Sequence, residues 1–257
     1  MKKIVSISLI VCFLFGVLTA CGTKDQSADK SDKKVLTMGT SAEYPPFEYV
    51  DTSKGEDIIG FDIDLAKAIA SKLGYEVKVQ DMDFNGLIPA LEAKKIDFVL
   101  AGMTPTEKRK QSVDFSEVYY TAHHMIVSKK ESNIKSVEDL NGKTVGVQLT
   151  SIQEDKAKEL AKSINLKIEN RNRIPELIQD IKTGRFDAAI IEDLVAKGFL
   201  EKNKDLTGVT IAGSEEEAGS AMAFPKGSKL TEDFNNELKK MKENGELDKL
   251  IVKWFGK

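Results

Sequence analysis

The chain has 257 residues, of which 41% are hydrophobic and 31% charged, with 38 basic against 41 acidic side chains and a net charge of −3. Near-balanced charge with no basic stripe excludes a nucleic-acid-binding protein. Two cysteines, one of them inside the opening apolar run, leave no disulfide framework, so packing must hold a fold whose length suits one large domain or two modest ones.

Lys2 and Lys3 precede an apolar run from Ile4 to Leu18, closed by Leu18-Thr19-Ala20-Cys21. A charged start, a short apolar core and small residues before a cleavage point predict a secretory signal over residues 1–20, too short for an ordinary membrane span. The closing four residues resemble a bacterial lipobox. That resemblance implies lipidation of Cys21 and cleavage just before it, with a lipid-anchored protein on the extracellular face of the cell membrane. Residues 21–34 are polar apart from one alanine and predict a flexible tether. No second apolar run approaches the length of a membrane helix.

From Val35 the pattern alternates strand and helix. Val35–Gly39 reads as a strand. Phe61, Leu65, Ala66, Ile69 and Leu73 fall at helical spacing, with Asp62 as the expected N-cap and Gly74 as the stop. Glu76–Val79 reads as a strand, and Leu87, Ile88 and Leu91 as a helix face with Pro89 in its first turn. Phe98–Leu100 is a buried strand. The pattern then restarts: strand Thr144–Val147, helix Ile152–Ala161, strand Leu166–Ile168, helix Ile174–Ile181, strand Ala188–Ile191. Leu87-Ile88 is followed by Leu91, Ile96 and Asp97, and Leu177-Ile178 by Ile181, Phe186 and Asp187 at the same offsets. This echo predicts two similar α/β lobes built of parallel βαβ units. Residues 35–122 with 222–257 form the expected lobe 1 and residues 126–215 lobe 2. Thr121–Ser128 is the expected outward connection, and the closing helices Leu230–Asn244 and Glu246–Phe255 are expected to return to lobe 1. Two crossings permit hinge closure over a ligand.

In open α/β sheets ligands bind beyond the carboxyl ends of strands. The candidates there are Ser41, Glu43, Tyr44 and Glu48 after the first strand, then Phe84, then Ala101, Gly102, Thr104 and Arg109. In the second lobe they are Gln148, Thr150, Ser151 and Gln153, followed by Glu192. Arg109 can pair with an α-carboxylate in bidentate fashion. Backbone amides around Gly102 and Thr104 and the hydroxyls of Thr150 or Ser151 can donate to the same oxygens. Glu192 can accept from an α-ammonium, and Tyr44 and Phe84 can sandwich a side chain. The plainer alternatives are that Thr104 and Thr106 cap a helix with Arg109 on its wet face, that the two aromatics are core, and that Glu192-Asp193 caps a helix near Leu194. His123-His124 lacks a carboxylate at ligand spacing, so no metal is expected, and no cofactor is called for.

Tyr44-Pro45-Pro46-Phe47, Gly60-Phe61-Asp62-Ile63-Asp64-Leu65, Asp83-Phe84, Leu87-Ile88-Pro89-Ala90-Leu91, Thr106-Glu107-Lys108-Arg109, Asp114-Phe115-Ser116, Asp139-Leu140-Asn141-Gly142-Lys143 and Asp187-Ala188-Ala189 stand in one order across the chain. In this, residues 35–257 resemble the polar-amino-acid family of extracellular solute-binding proteins that serve ABC importers, and within it the arginine-binding lipoproteins of Gram-positive bacteria. The resemblance implies a two-lobed periplasmic-binding-protein-like α/β fold with the ligand between the lobes. It puts the family's carboxylate-binding arginine on Arg109 and its aromatic clamp on Tyr44 and Phe84. Its loop donors fall on Ala101, Gly102 and Thr104, with Ser151 in the second lobe. Its ammonium acceptor falls on Glu192, with Asp193 as the fallback. Relatives that bind cationic or amide side chains often have Asp where this chain has Ser41, which leaves Glu43 and Glu48 as the nearest acids for a guanidinium. Gln148 stands where a glutamine-binding relative would show Lys.

The expected function is therefore capture of a free polar amino acid, arginine first, by a non-enzymatic monomer that delivers it to the membrane subunits of an ABC permease. The alternatives are an exported lyase of the same fold, as in cyclohexadienyl dehydratases, and a ligand-sensing module.

Overall fold

The computed structural model describes residues 34–52, 55–212 and 219–256. The expected signal, Cys21 and all of the tether but Lys34 lie outside the described residues. The chain opens with β1 (Lys34–Thr40), a small three-stranded meander of β2 (Glu43–Tyr44), β3 (Glu48–Val50) and β4 (Ile58–Ile59), and α1 (Phe61–Lys72). It continues through β5 (Tyr75–Asp81), α2 (Phe84–Glu92), β6 (Phe98–Val99), α3 (Glu107–Lys110) and β7 (Val113–Phe115). Strand β8 (Tyr120–Thr121) leads to β9 (His124–Lys129), β10 (Lys143–Gln148), α4 (Ile152–Leu160), β11 (Leu166–Arg171), α5 (Ile174–Lys182), β12 (Ala188–Glu192), α6 (Asp193–Lys202) and β13 (Leu206–Thr210). The chain closes with β14 (Gly219–Ser220), β15 (Ala223–Pro225), α7 (Lys229–Glu243) and α8 (Glu246–Phe255).

Two five-stranded sheets result, ordered β5-β1-β6-β15-β7 and β11-β10-β12-β9-β13. Each has three parallel strands at one side, joined by helical crossovers, and antiparallel strands at the other. The helices and strands form two lobes, a mixed α/β architecture. The echo in the sequence has a physical cause. Gly39 of β1 and Gly146 of β10 pair with Val99 and Ala189 at matching places in their sheets. A Cβ on Gly39 would lie 2.4 Å from Ile96 and 3.1 Å from Leu87; on Gly146 it would lie 2.4 Å from Phe186 and 2.9 Å from Leu177. Each central strand thus gives up a side chain so that a helix and the start of the next strand can pack down on it. Asp97 and Asp187 complete the match, their carboxylates accepting from the Thr37 and Thr144 amides at 2.7 and 2.8 Å.

Four expectations are corrected. Thr121–Ser128 is no mere connection: β9 is a buried strand between β12 and β13, and the outward crossing is the shorter stretch around β8. There β8 pairs antiparallel with β14, so the two crossings run side by side. Asp62 does not cap α1 but is its second residue. The cap position is Gly60, at φ 142, where a Cβ would lie 2.0 Å from the Phe47 carbonyl oxygen. Helix α2 begins at Phe84, which puts Pro89 in its sixth position, beyond the first turn. Glu43 is taken up by protein partners and Glu48 is buried outside the cavity lining, as described below. The closing helices pack on the first sheet. Phe234 of α7 sits 5.0 and 5.3 Å from the Phe98 and Phe224 rings, and Phe255 of α8 lies 4.8 Å from Phe61. Trp254 donates its ring N–H to Asp64 at 2.8 Å.

Candidate functional site

The carboxyl ends of both sets of parallel strands face a small cavity between the lobes. Of the residues predicted from sequence, Tyr44, Phe84, Ala101, Gly102, Thr104, Arg109, Gln148, Ser151, Gln153 and Glu192 line it. Ile152, within the stretch that follows the second-lobe strand, lines it as well, as does Ser220, which was not predicted. Ser220 belongs to β14, a two-residue strand with no apolar pattern to reveal it.

Helix α3 is a single turn whose start is held by Thr106, whose hydroxyl accepts from the Arg109 amide at 3.2 Å. The capping alternative is thus correct for Thr106. The wet-face alternative fails for Arg109, whose guanidinium turns inward. Its Nη1 donates to the Thr104 carbonyl and its Nη2 crosses the cleft to the Thr150 carbonyl, both at 2.9 Å. The group lies 5.2 Å from the Phe84 ring centre. Burial lowers its pKa to about 10, with Asp155 and Tyr44 opposing, so it remains a cation. Thr150 itself has φ 63, a left-handed conformation unusual for a β-branched residue and one that costs roughly 1–3 kcal/mol. It lies outside the central cavity and lines a second groove behind Arg109.

Gly102 also lies in the left-handed region, at φ 55, and a Cβ there would come within 3.0 Å of the Tyr44 ring. Its amide does not face the cavity as a free donor, contrary to expectation: it donates to the Asp62 carboxylate at 2.9 Å, which also accepts from the Tyr119 hydroxyl at 2.8 Å. Ser151 corrects the expectation in the same way. Its hydroxyl donates to the Gln148 carbonyl at 2.7 Å and accepts from the Glu154 amide at 3.1 Å, capping α4. The next residue, Ile152, is the first of α4, and its amide has no partner within the helix. It lines the cavity beside Gln153, whose side chain meets His124 Nδ1 at 3.3 Å. Gln148 donates to the Asn172 carbonyl at 3.0 Å.

Glu192 ends β12 and caps α6, accepting from the Leu194 amide through Oε1 at 3.1 Å. It does both things weighed for it, capping a helix and lining the cavity. Asp193 does not line it; it holds Lys197 and the His123 amide. Burial raises the Glu192 pKa well above the carboxylate range, the Leu194 amide opposing.

Neither acid proposed for a ligand guanidinium lines the cavity. Glu48 is fully buried. Burial first, and the neighbouring Asp62 next, raise its carboxyl well above its ordinary value. Burial lifts Asp62 to about 6. Two neighbouring carboxyls in a dry site disfavour each other's ionisation. Glu43 accepts from the Ser41 hydroxyl at 2.9 Å and from Arg173 Nη1 at 2.5 Å. Burial raises it to about 7, with Ser41 and the Arg173 charge opposing; both of its oxygens accept, one from each of these groups, an arrangement that favours the carboxylate. Arg173 was missed by the sequence reading. Burial alone would lower its pKa, but the hydrogen bond to Asp83 and the charges of Glu43 and Asp81 raise it. Among the described residues no cluster of His, Cys, Asp and Glu could hold a metal ion.

Two α/β lobes joined by paired crossings, with a half-buried cation and a buried carboxyl facing one cavity, define a solute-binding protein. The chain belongs to the bacterial extracellular solute-binding proteins, family 3, whose pattern matches residues 36–257. The arginine-binding extracellular protein ArtP of Bacillus subtilis is 59% identical over 256 residues, spanning 99% of this chain and 98% of that one. An ancestral arginine-binding protein bound to arginine superposes with a TM-score of 0.80 at 44% identity, covering 86% of this chain and 98% of that one. The substrate-binding protein AbpA of an amino acid ABC transporter from Streptococcus pneumoniae, bound to L-arginine, does so at 0.79 and 38% identity, covering 87% of this chain and 95% of that one.

Proposed function

We propose that the protein captures a free amino acid outside the cell, arginine first and other cationic or amide amino acids next, and delivers it to an ABC permease. The observation that carries this reading is the pairing of Arg109 and Glu192 in one cavity. A guanidinium at one wall suits an α-carboxylate; at another, burial holds the Glu192 carboxyl above the carboxylate range, and an α-ammonium placed beside it favours the ionised form that accepts from that ammonium. The relatives' names support arginine over other amino acids.

Tyr44 and Phe84 offer ring faces to the ligand side chain, where a desolvated guanidinium gains about 2 kcal/mol. With Glu43 bound to Arg173 and Glu48 buried outside the cavity lining, these rings are the main receivers of the distal cation. Ile152 supplies an amide for the carboxylate, while Gly102 and Ser151 shape the cavity rather than donate. Binding is the whole activity, and no bond is made or broken. Family membership and the arginine-binding relatives weigh against the lyase alternative. The Leu18-Thr19-Ala20-Cys21 motif supports lipidation at Cys21, which would hold a monomer on the outer face of the membrane beside the permease.

Titration calorimetry of the domain from residue 34 onward against the twenty amino acids tests the reading. Micromolar or tighter arginine binding is expected, about −8 kcal/mol or better. Heat from no cationic or amide amino acid would overturn it, and turnover of a carboxylic acid substrate would revive the lyase.

A further inference from the structure

Arg173 lies outside the cavity lining. It is the N-cap of α5, and its amide donates to Glu176 Oε2 at 3.0 Å, which fixes the root of the side chain. From this second-lobe position the guanidinium reaches three first-lobe acids. Nε donates to Asp83 at 2.7 Å, and Nη1 to Glu43 at 2.5 Å and to Asp81 at 3.2 Å. The acids are arranged in advance by their own lobe. Asp81 accepts from the Ala42 amide at 2.8 Å, and Glu43 accepts from Ser41. Asn172 adds a bond to Asp83 at 3.0 Å, and its carbonyl accepts from cavity-lining Gln148.

Glu43 and Asp83 immediately precede Tyr44 and Phe84, the two aromatics of the cavity. The same guanidinium therefore grips the backbone neighbours of both rings. Parting the lobes would leave three like charges together on one surface and a cation alone on the other, a loss on both sides.

We infer that Arg173 is the latch of the closed state, a positioning residue that ties the second lobe to the Glu43–Asp81–Asp83 trio and holds Tyr44 and Phe84 over the ligand. The inference rests on the binding reading for its purpose, but closure can be measured without any ligand. The network is one-third exposed at Arg173, Asp81 and Asp83, so salt weakens it.

The test uses the domain from residue 34 onward as wild type, Arg173→Ala, Arg173→Lys, Glu43→Gln and the Arg173→Ala/Glu43→Gln pair, with circular dichroism to establish folding. Small-angle scattering of the ligand-free protein at low and high salt reads closure, and stopped-flow release of arginine reads the latch under load. Arg173→Ala and Glu43→Gln should each expand the ligand-free protein and remove its response to salt. Each should speed release about tenfold or more while changing association less. The double variant should be no worse than the worse single one, and Arg173→Lys should recover part of the effect. Unchanged scattering and release rates within twofold in both single variants would overturn the latch. So would additive losses in the double variant. If wild type fails to bind arginine, the functional reading fails, while the scattering still decides the latch.

Discussion

Arg109 in the first lobe donates to the carbonyl of Thr150 in the second at 2.9 Å, and Thr150 holds a left-handed backbone, φ 63, to present that oxygen. The residue expected to grip a ligand is thus also a bridge between lobes. A carboxylate entering the cavity offers Arg109 a charged acceptor. Arg109→Ala should weaken arginine binding by a factor of about 100 or more, from the loss of one or two charge-assisted hydrogen bonds at ~1.5–3 kcal/mol each. Calorimetry checks this, with an unchanged circular dichroism spectrum as control. Wild-type affinity in this variant would refute the carboxylate role.

Gly102 faces a different constraint. With φ 55 and a Cβ 3.0 Å from the Tyr44 ring, Gly102→Ala must strain the backbone and push the ring. Destabilisation of about 1–2 kcal/mol and at least a tenfold loss of affinity are expected, read by thermal unfolding and calorimetry. Gly142, also left-handed at φ 77 but with open space at its Cβ, serves as the comparison: Gly142→Ala should cost stability and leave affinity alone.

The Glu48–Asp62 pair predicts a pH dependence with a definite sign. Both carboxyls have folded pKa values raised by burial. Their contribution is therefore most favourable below the unfolded values and is lost as pH rises through the folded ones. For Asp62, moving from 3.8 to about 6, the loss builds between roughly pH 4 and pH 6 and reaches on the order of 3 kcal/mol. Glu48→Gln keeps a donor to Asp62 without a titrating proton. Its melting temperature should equal wild type near pH 4 and exceed it at pH 8. Parallel curves for the two proteins would contradict this coupling of the two carboxyls.

Phe234 is fully buried between Phe98 and Phe224, where it fastens the closing helices to the first sheet. Phe234→Ala should cost about 3–5 kcal/mol by denaturant unfolding. Arginine affinity of the folded fraction should stay within threefold, because the ring lies outside the cavity lining.

Much of this architecture is legible in the sequence because its causes are local. Leu87 with Ile96 and Leu177 with Phe186 repeat at one spacing because each pair fills the space over a central-strand glycine. The cavity residues are legible because they follow strand ends. What the sequence hides depends on partners far along the chain. Asp62 looks like an N-cap, but its carboxylate answers Gly102 and Tyr119, 40 and 57 residues away. Glu43 looks like a free acid because Arg173, its partner, lies 130 residues on. Ser151 reads as a ligand donor because its proton's destination, the Gln148 carbonyl, depends on a turn that only the folded backbone fixes.

The proposed contact between Arg109 and the carboxylate of a free amino acid is tested most directly by removing that group from the ligand. Calorimetry should compare arginine with its decarboxylated form, agmatine, on the wild-type domain at one pH and salt concentration. Arginine should bind at micromolar strength or better and agmatine at least 100-fold more weakly. Agmatine binding as tightly as arginine would contradict the account.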